Sequence, residues 1–256
     1  MSEPIRIAPI RIAPIRIAMW SGPRNISTAM MRSFENRDDT AVTDEPFYAA
    51  YLAETGIDHP MREESMASQP QDWRVVAESL AGPVPGGKPV WYQKHMTHHM
   101  LPDFGLDWCA SCRNAFLIRD PVAVLASYTQ KRPGVALADL GFERQWELFE
   151  READRLGTAP PVIDADDVLA NPRRMLGALC AALGISFSEK MLSWPPGRRD
   201  TDGVWGAVWY AAVERSTGFA PPRAEPPPTL AERFKPLADA GQLHYARLAA
   251  HRLSVT

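Results

Sequence analysis

Near its amino end the chain alternates apolar and polar residues, then breaks the alternation with turn formers. Ile15, Ile17 and Met19 recur at every second position, the period of a strand, and residues 21–25 read Ser-Gly-Pro-Arg-Asn. Helical spacing then predicts a helix over about residues 28–36. The unit recurs. Residues 40–44 form a short strand pattern that runs into Asp44 and Glu45 before Pro46, and residues 90–95 form another that ends in Lys94 and His95. The apolar run 114–118 is stopped by Arg119, Asp120 and Pro121 and gives way to helical spacing over residues 122–131. Residues 161–164 read as a fifth strand entering an acidic turn, where Asp166 and Asp167 suit capping, and Asn171-Pro172 starts a helix to about residue 183. Residues 140–156 carry the period of an amphipathic helix with Phe142, Trp146 and Phe149 toward the core. Strands alternating with helices predict an α/β fold, three layers deep, with a central parallel sheet of about five strands flanked by helices.

Composition sets the outer limits. With 256 residues, 45% of them hydrophobic, the chain has enough apolar surface for one large domain. Pro-Ile-Arg-Ile-Ala occurs three times, at residues 4–8, 9–13 and 14–18, and residues 1–13 read as an extension outside the core. Residues 14–219 are expected to form the α/β domain, 220–228 a proline-rich linker, and 229–256 a C-terminal helix packed on the domain. A formal net charge of −3 gives no general attraction to nucleic acid or to an acidic membrane, so anion binding has to be local. Three cysteines cannot build a disulfide framework, which suits a reducing cytoplasm. Cys109 and Cys112 lack a second pair, and His95, His98 and His99 lack a completing carboxylate or cysteine, so no metal is expected.

The turn at residues 21–28 is where chemistry first suggests itself. A helix start exposes unpaired N–H groups, and Arg24, Ser27 and Thr28 add donors for an anion. Ser27 and Thr28 are equally at home as simple caps. The Walker A pattern is not met, because no Gly-Lys-Ser/Thr follows Gly22. Asp44 or Glu45 ends a strand where open sheets gather ligands, and the helix dipole gives them a structural reading as well. Arg119 and Ser127 fall on a second strand, turn and helix, while Arg198 and Arg199 make another basic spot in a glycine-bounded loop.

In order along the chain, these pieces resemble the cytosolic-type sulfotransferases that use 3′-phosphoadenosine 5′-phosphosulfate (PAPS), with a P-loop NTPase-like fold, over residues 14–210. Pro23, Arg24, Asn25, Ile26, Ser27 and Thr28 are similar to that family's P-K-S-G-T-T, which implies a 5′-phosphosulfate loop. Arg119, Asp120-Pro121 and Ser127 match its 3′-phosphate motif. Arg198 to Trp205, R-R-D-T-D-G-V-W, looks like R-K-G-x-x-G-D-W and implies further contacts from Arg198, Arg199 and Gly203. Arg24 stands where the family usually has lysine, and Ala29 where a tryptophan often stacks on adenine. The base implied is Glu45 or His95, with Glu45 preferred because Asp-Glu-Pro-Phe follows the loop as in glutamate-using members.

The resemblance implies transfer of a sulfuryl group from PAPS to a hydroxyl or amine of a small-molecule acceptor, without metal, nucleic acid or membrane. It leaves the oligomeric state open. The connections 59–88 and 101–114 are expected to shape the acceptor pocket, and Phe47, Tyr48, Trp91 and Tyr92 hint at a partly apolar acceptor or are core. Two alternatives stand beside this reading: a P-loop kinase or NTPase, which needs a loop lysine and a magnesium-binding carboxylate, and a non-catalytic nucleotide or anion module.

Overall fold

The structure is a computed structural model that describes residues 13–132, 134–221 and 230–254. Five strands, β1 (Ile15–Ser21), β2 (Thr40–Asp44), β3 (Val90–Met96), β4 (Arg113–Ile118) and β5 (Val162–Asp164), form one sheet in the order β2-β3-β1-β4-β5. Every neighbouring pair is parallel. Parallel strands need both faces covered, and these strands are apolar on both. Ile17, Met19, Val90, Tyr92, Ala115, Leu117 and Ile163 face the helices Ser27–Glu35 and Pro172–Ala182, packing with Met30, Phe34, Met175 and Leu179. Ala18, Trp20, Trp91, Phe116 and Val162 face the helices Trp73–Ala81, Phe142–Leu156 and Lys235–Ala249 through Val76, Leu80, Leu148, Phe149 and Leu248. The three-layer α/β fold with a five-stranded parallel sheet is as the alternating pattern predicts.

Differences are local. The helix expected over residues 140–156 breaks at Gly141, whose φ of 66° ends a short turn Leu137–Leu140 before Phe142 starts the long helix. The three clustered histidines are split between elements: His95 is in β3, while His98 and His99 are in the tight turn Thr97–His99 after it. Asp164, not Asp166 or Asp167, caps the helix Ala165–Ala170, accepting from the Asp166 N–H at 2.8 Å. The repeats up to residue 12 and the linker residues 222–228 lie outside the described residues.

The crevice lies beyond the carboxyl end of β1, because the chain leaves β1 and its neighbour β3 toward opposite faces. After β1 it enters the helix Ser27–Glu35 on one face. After β3 it runs through Met100, Phe104 and Trp108 on the other.

Candidate active site

The loop after β1 is held without using its N–H groups. Ile26 is the residue before the helix Ser27–Glu35 and no side chain caps that helix. Among the described residues, no hydrogen bond within the chain is donated by the backbone N–H of Arg24, Asn25, Ile26, Ser27 or Thr28. Arg24 and Ile26 both have left-handed backbone, with φ of 62° and 54°. That costs about 1–2 kcal/mol for an ordinary residue, and a β-branched residue adopts it rarely. Asn25 anchors the turn by donating from Nδ2 to the Leu117 carbonyl at 3.1 Å. Gly22 lets the chain pass under the following segment: a Cβ there would sit 2.7 Å from the Leu140 carbonyl oxygen.

Arg24, Arg119 and Ser127 are brought together. Arg24 Nε donates to Ser127 Oγ at 2.9 Å, and Arg119 donates to the Arg24 carbonyl at 2.8 Å. Burial, and then the neighbouring Arg119 charge, lower the pKa of Arg24. Among the described residues, Arg119 Nε is buried without a hydrogen bond, with Asp166 Oδ1 at 3.9 Å, and Asn25 Oδ1 is likewise unpartnered. Two guanidinium groups with so little counter-charge beside free N–H groups are the donors that an anion would need.

On the other side of β1, β2 and β3 end in a buried charged group. Their register sets Asp44 directly beside Lys94. Lys94 Nζ donates to Asp44 Oδ1 at 2.8 Å, to Tyr210 Oη at 2.9 Å and to Glu45 Oε1. Tyr210 Oη also contacts Asp44 Oδ2 at 2.8 Å and receives the Trp205 indole N–H at 3.1 Å. Glu45 has a φ of 40°, the third left-handed residue at this crevice. Burial raises its pKa and the Asp44 charge adds to that, while Lys94 opposes both. Burial acts to lower the Lys94 pKa, but the two carboxylates outweigh it and keep the ammonium charged. A carboxyl held this way exchanges a proton closer to neutrality than an ordinary glutamate, as a general base requires.

His95 is not part of this group. Successive residues of β3 point to opposite faces, so His95 faces away from Lys94 and is sealed by Trp20, stacked at 4.6 Å, and Trp108 at 4.9 Å. Its Nε2 meets Gln93 Oε1 at 3.2 Å. Burial, and secondarily the Lys94 charge, push its pKa down to about 3, so it is neutral and cut off from solvent. His99 is the histidine nearest Glu45, with Nδ1 4.0 Å from Oε2. Arg198 is exposed. Arg199 is half-buried, donating from its backbone N–H to Asp202 at 2.8 Å and from its side chain to the Pro195 carbonyl at 3.1 Å. Gly203 donates its N–H to Asp44 Oδ2 at 3.1 Å, tying its segment to β2 rather than to the loop after β1. Ser27 is buried and Thr28 half-buried at the start of their helix, while Pro23 is buried in the turn.

Sequence reasoning passed over Lys94, Asp44 and Tyr210 as members of one group. A lysine inside an apolar strand was a usable signal, since a buried ammonium demands partners. Tyr210 gave none, being one aromatic residue among several. Of the aromatics offered for the acceptor, Tyr48 reaches this region, stacked on His99 at 4.7 Å, whereas Phe47, Trp91 and Tyr92 are buried in the two cores. Cys109, Cys112 and Cys180 are free and buried. Among the described residues no cluster could hold a metal ion, and no helix is long and apolar enough to cross a membrane.

Comparison with known proteins agrees with this architecture. The fold is similar to a sulfotransferase from Alicyclobacillus acidocaldarius, with a TM-score of 0.54 at 14% identity, covering 95% of this chain and 98% of that one. It is also similar to the sulfotransferase domain of the Synechococcus PCC 7002 olefin synthase, with a TM-score of 0.50 at 17% identity over 91% and 96% of the two chains. In sequence, 208 residues are 35% identical to branched-chain-amino-acid aminotransferase-like protein 2 of Arabidopsis thaliana, covering 81% of this chain and 36% of that protein. Protein 1 of the same name and plant is 36% identical over 208 residues, 81% of this chain and 37% of its own length. The chain thus spans about a third of the length of the curated relatives it matches. The profile of the sulfotransferase domain family matches residues 15–248, and the chain belongs to that family.

Proposed function

We propose that the chain transfers a sulfuryl group from PAPS to a hydroxyl or amine of a small-molecule acceptor. The observation that carries the reading is the junction of Arg24, Arg119 and Ser127 over a loop whose N–H groups are unspent. PAPS would supply the activated sulfuryl group. Its 5′ end is assigned to the N–H groups of residues 24–28 with Arg24, Ser27 and Thr28, and its 3′-phosphate to Arg119 and Ser127. Pro23, Asn25 and Ile26 shape the turn. Arg198, Arg199 and Gly203 belong to the 3′ side in this reading; the Arg199 side chain, which now points to Pro195, has to move, and the Gly203 N–H has to leave Asp44. Glu45 takes the acceptor proton, and Arg24 stabilises charge on the leaving phosphate as a fixed cation. Positioning and charge stabilisation then do most of the work.

The test compares thermal shifts with 3′-phosphoadenosine 5′-phosphate, AMP and ATP-magnesium, then follows PAPS consumption with a panel of hydroxyl and amine acceptors. The bisphosphate is expected to raise Tm most, by mass action. A larger shift with ATP-magnesium refutes the reading in favour of a kinase or NTPase. Tight bisphosphate binding with no transfer across the panel favours a binding module.

A further inference from the structure

The hydrogen bonds around Lys94 are used up with little to spare. Its three protons meet Asp44 Oδ1 at 2.8 Å, Tyr210 Oη at 2.9 Å and Glu45 Oε1. Tyr210 Oη accepts from Lys94 and from Trp205 Nε1, so its lone pairs are occupied and its single proton is left to give. Asp44 Oδ2 lies at 2.8 Å and Glu45 Oε1 at 3.3 Å, so Asp44 receives it. Asp44 also accepts the Gly203 N–H at 3.1 Å. Three different groups therefore donate to Asp44. Glu45 has Lys94 on Oε1, while its Oε2 faces His99 Nδ1 at 4.0 Å, a nitrogen that is itself without a partner.

Two carboxylates sharing one ammonium in a dry site do not both stay ionised cheaply, and the charge is held best where more hydrogen-bond donors converge. We propose that Tyr210 is a positioning residue that holds Asp44 and Lys94 together as a fixed ion pair and leaves Glu45 as the carboxyl of the group that exchanges a proton. The groups facing Glu45 are Asp44 on β2, Lys94 on β3, His99 in the turn after β3, Tyr48 on the helix Tyr48–Thr55, and Tyr210. Of these, Lys94 opposes the effect of burial, and Asp44 reinforces it. Tyr210 arrives on the same stretch as Gly203 and Asp202, the latter paired with Arg32 on the helix after β1. The stretch given to the 3′-phosphate and the base thus meet in one buried network.

The inference rests on Glu45 as the base of the proposed reaction, but the proton's location is measurable in the free protein without turnover. The experiment follows the carboxylic C=O stretch by difference infrared spectroscopy against pH in the full chain and in Glu45→Gln, Tyr210→Phe and Lys94→Met. Asp164, whose burial also raises its pKa, contributes a constant background. Glu45→Gln is expected to remove one protonated-carboxyl component. Tyr210→Phe keeps that component and moves its midpoint down, because the hydroxyl no longer holds Lys94 to Asp44 and the ammonium turns more fully to Glu45, whereas Lys94→Met removes the shared cation and moves the midpoint up by about one pH unit or more. An unmoved midpoint in Tyr210→Phe leaves the tyrosine a packing residue and overturns the inference, as does a component that survives Glu45→Gln. If Tyr210→Phe does not fold, Trp205→Phe removes the indole donor that orients the tyrosine hydroxyl and is expected to move the midpoint down by less, with no movement counting against the inference. A normal titration alongside a failed transfer assay sinks the reaction and spares the proton assignment; the reverse result does the opposite.

Discussion

Asp202→Asn tests how the stretch carrying Gly203 and Tyr210 is fastened to the domain. Asp202 Oδ2 meets Arg32 at 2.5 Å and accepts the Arg199 N–H at 2.8 Å, and the two charged side chains are 0% and 1% exposed. Asparagine retains an oxygen for both donors and removes only the charge. Breaking a buried ion pair from one side costs about 3–5 kcal/mol, because the remaining charge stays desolvated. Here Arg32 keeps Glu35 at 3.1 Å, a carboxylate only 16% exposed, which returns about 1 kcal/mol. The expected loss is therefore about 2–4 kcal/mol, read in urea unfolding as a midpoint lower by about 1 M at unchanged slope. The double variant Arg32→Met, Asp202→Leu removes both charges and is expected to lose less than the two single changes summed. A loss below about 1 kcal/mol in Asp202→Asn, or strict additivity in the double variant, would show that the pair does not fasten the stretch.

Gly22→Ala forces a Cβ to within 2.7 Å of the Leu140 carbonyl oxygen, backbone against backbone; chemical denaturation is expected to show a loss of about 1–3 kcal/mol, and an unchanged midpoint refutes the close approach. His95 binds its proton less readily folded, at about pH 3, than unfolded, at its ordinary 6.5, so its contribution is present above the unfolded value and is lost as pH falls toward the folded one. At about pH 5 that loss reaches about 2 kcal/mol, and His95→Leu is expected to flatten the decline in stability on acidification while leaving Glu45's proton exchange intact. In the proposed transfer, activity is expected to rise with pH as Glu45 deprotonates and then to hold, because the Arg24 guanidinium keeps its charge; Arg24→Lys beside Arg119 adds a falling limb, and a profile without one refutes the role of Arg24 as the fixed cation.

Most of the sheet was legible because its signals are local. Ile15, Ile17 and Met19 alternate, Pro46 and Pro121 stop their runs, and Asn171-Pro172 starts a helix where the structure has one. Arg24, Arg119 and Ser127 were found through their place in ordered motifs, and they do meet. What the residues by themselves could not order was His95 against Glu45, where only the family resemblance preferred Glu45. Both stand at strand ends, and only the pleat decides that Lys94 faces Asp44 while its neighbour His95 turns into Trp20 and Trp108. Tyr210 lies 116 positions from Lys94, and no local pattern records a bond across that distance.

In the proposed transfer, the two charged groups beside β1 would divide the chemical work by whether their protons move. On the β4 side, Arg24 and Arg119 are guanidinium groups that stay charged at any working pH, which suits the binding of an anion whose charge grows during transfer. On the β3 side, an ammonium and two carboxyls share a dry site with one more negative group than positive, and that imbalance is what makes one proton exchangeable. A lysine in the loop and an arginine in β3 would reverse both properties. The loop cation would then titrate, and the fixed fork of a guanidinium would not fit the three separate acceptors that a single ammonium meets at Asp44, Glu45 and Tyr210. In the proposed transfer, the arginine at position 24 and the lysine at position 94 are for this reason two halves of one arrangement: permanent charge where the anion would sit, and a shared ammonium where a proton would be taken up.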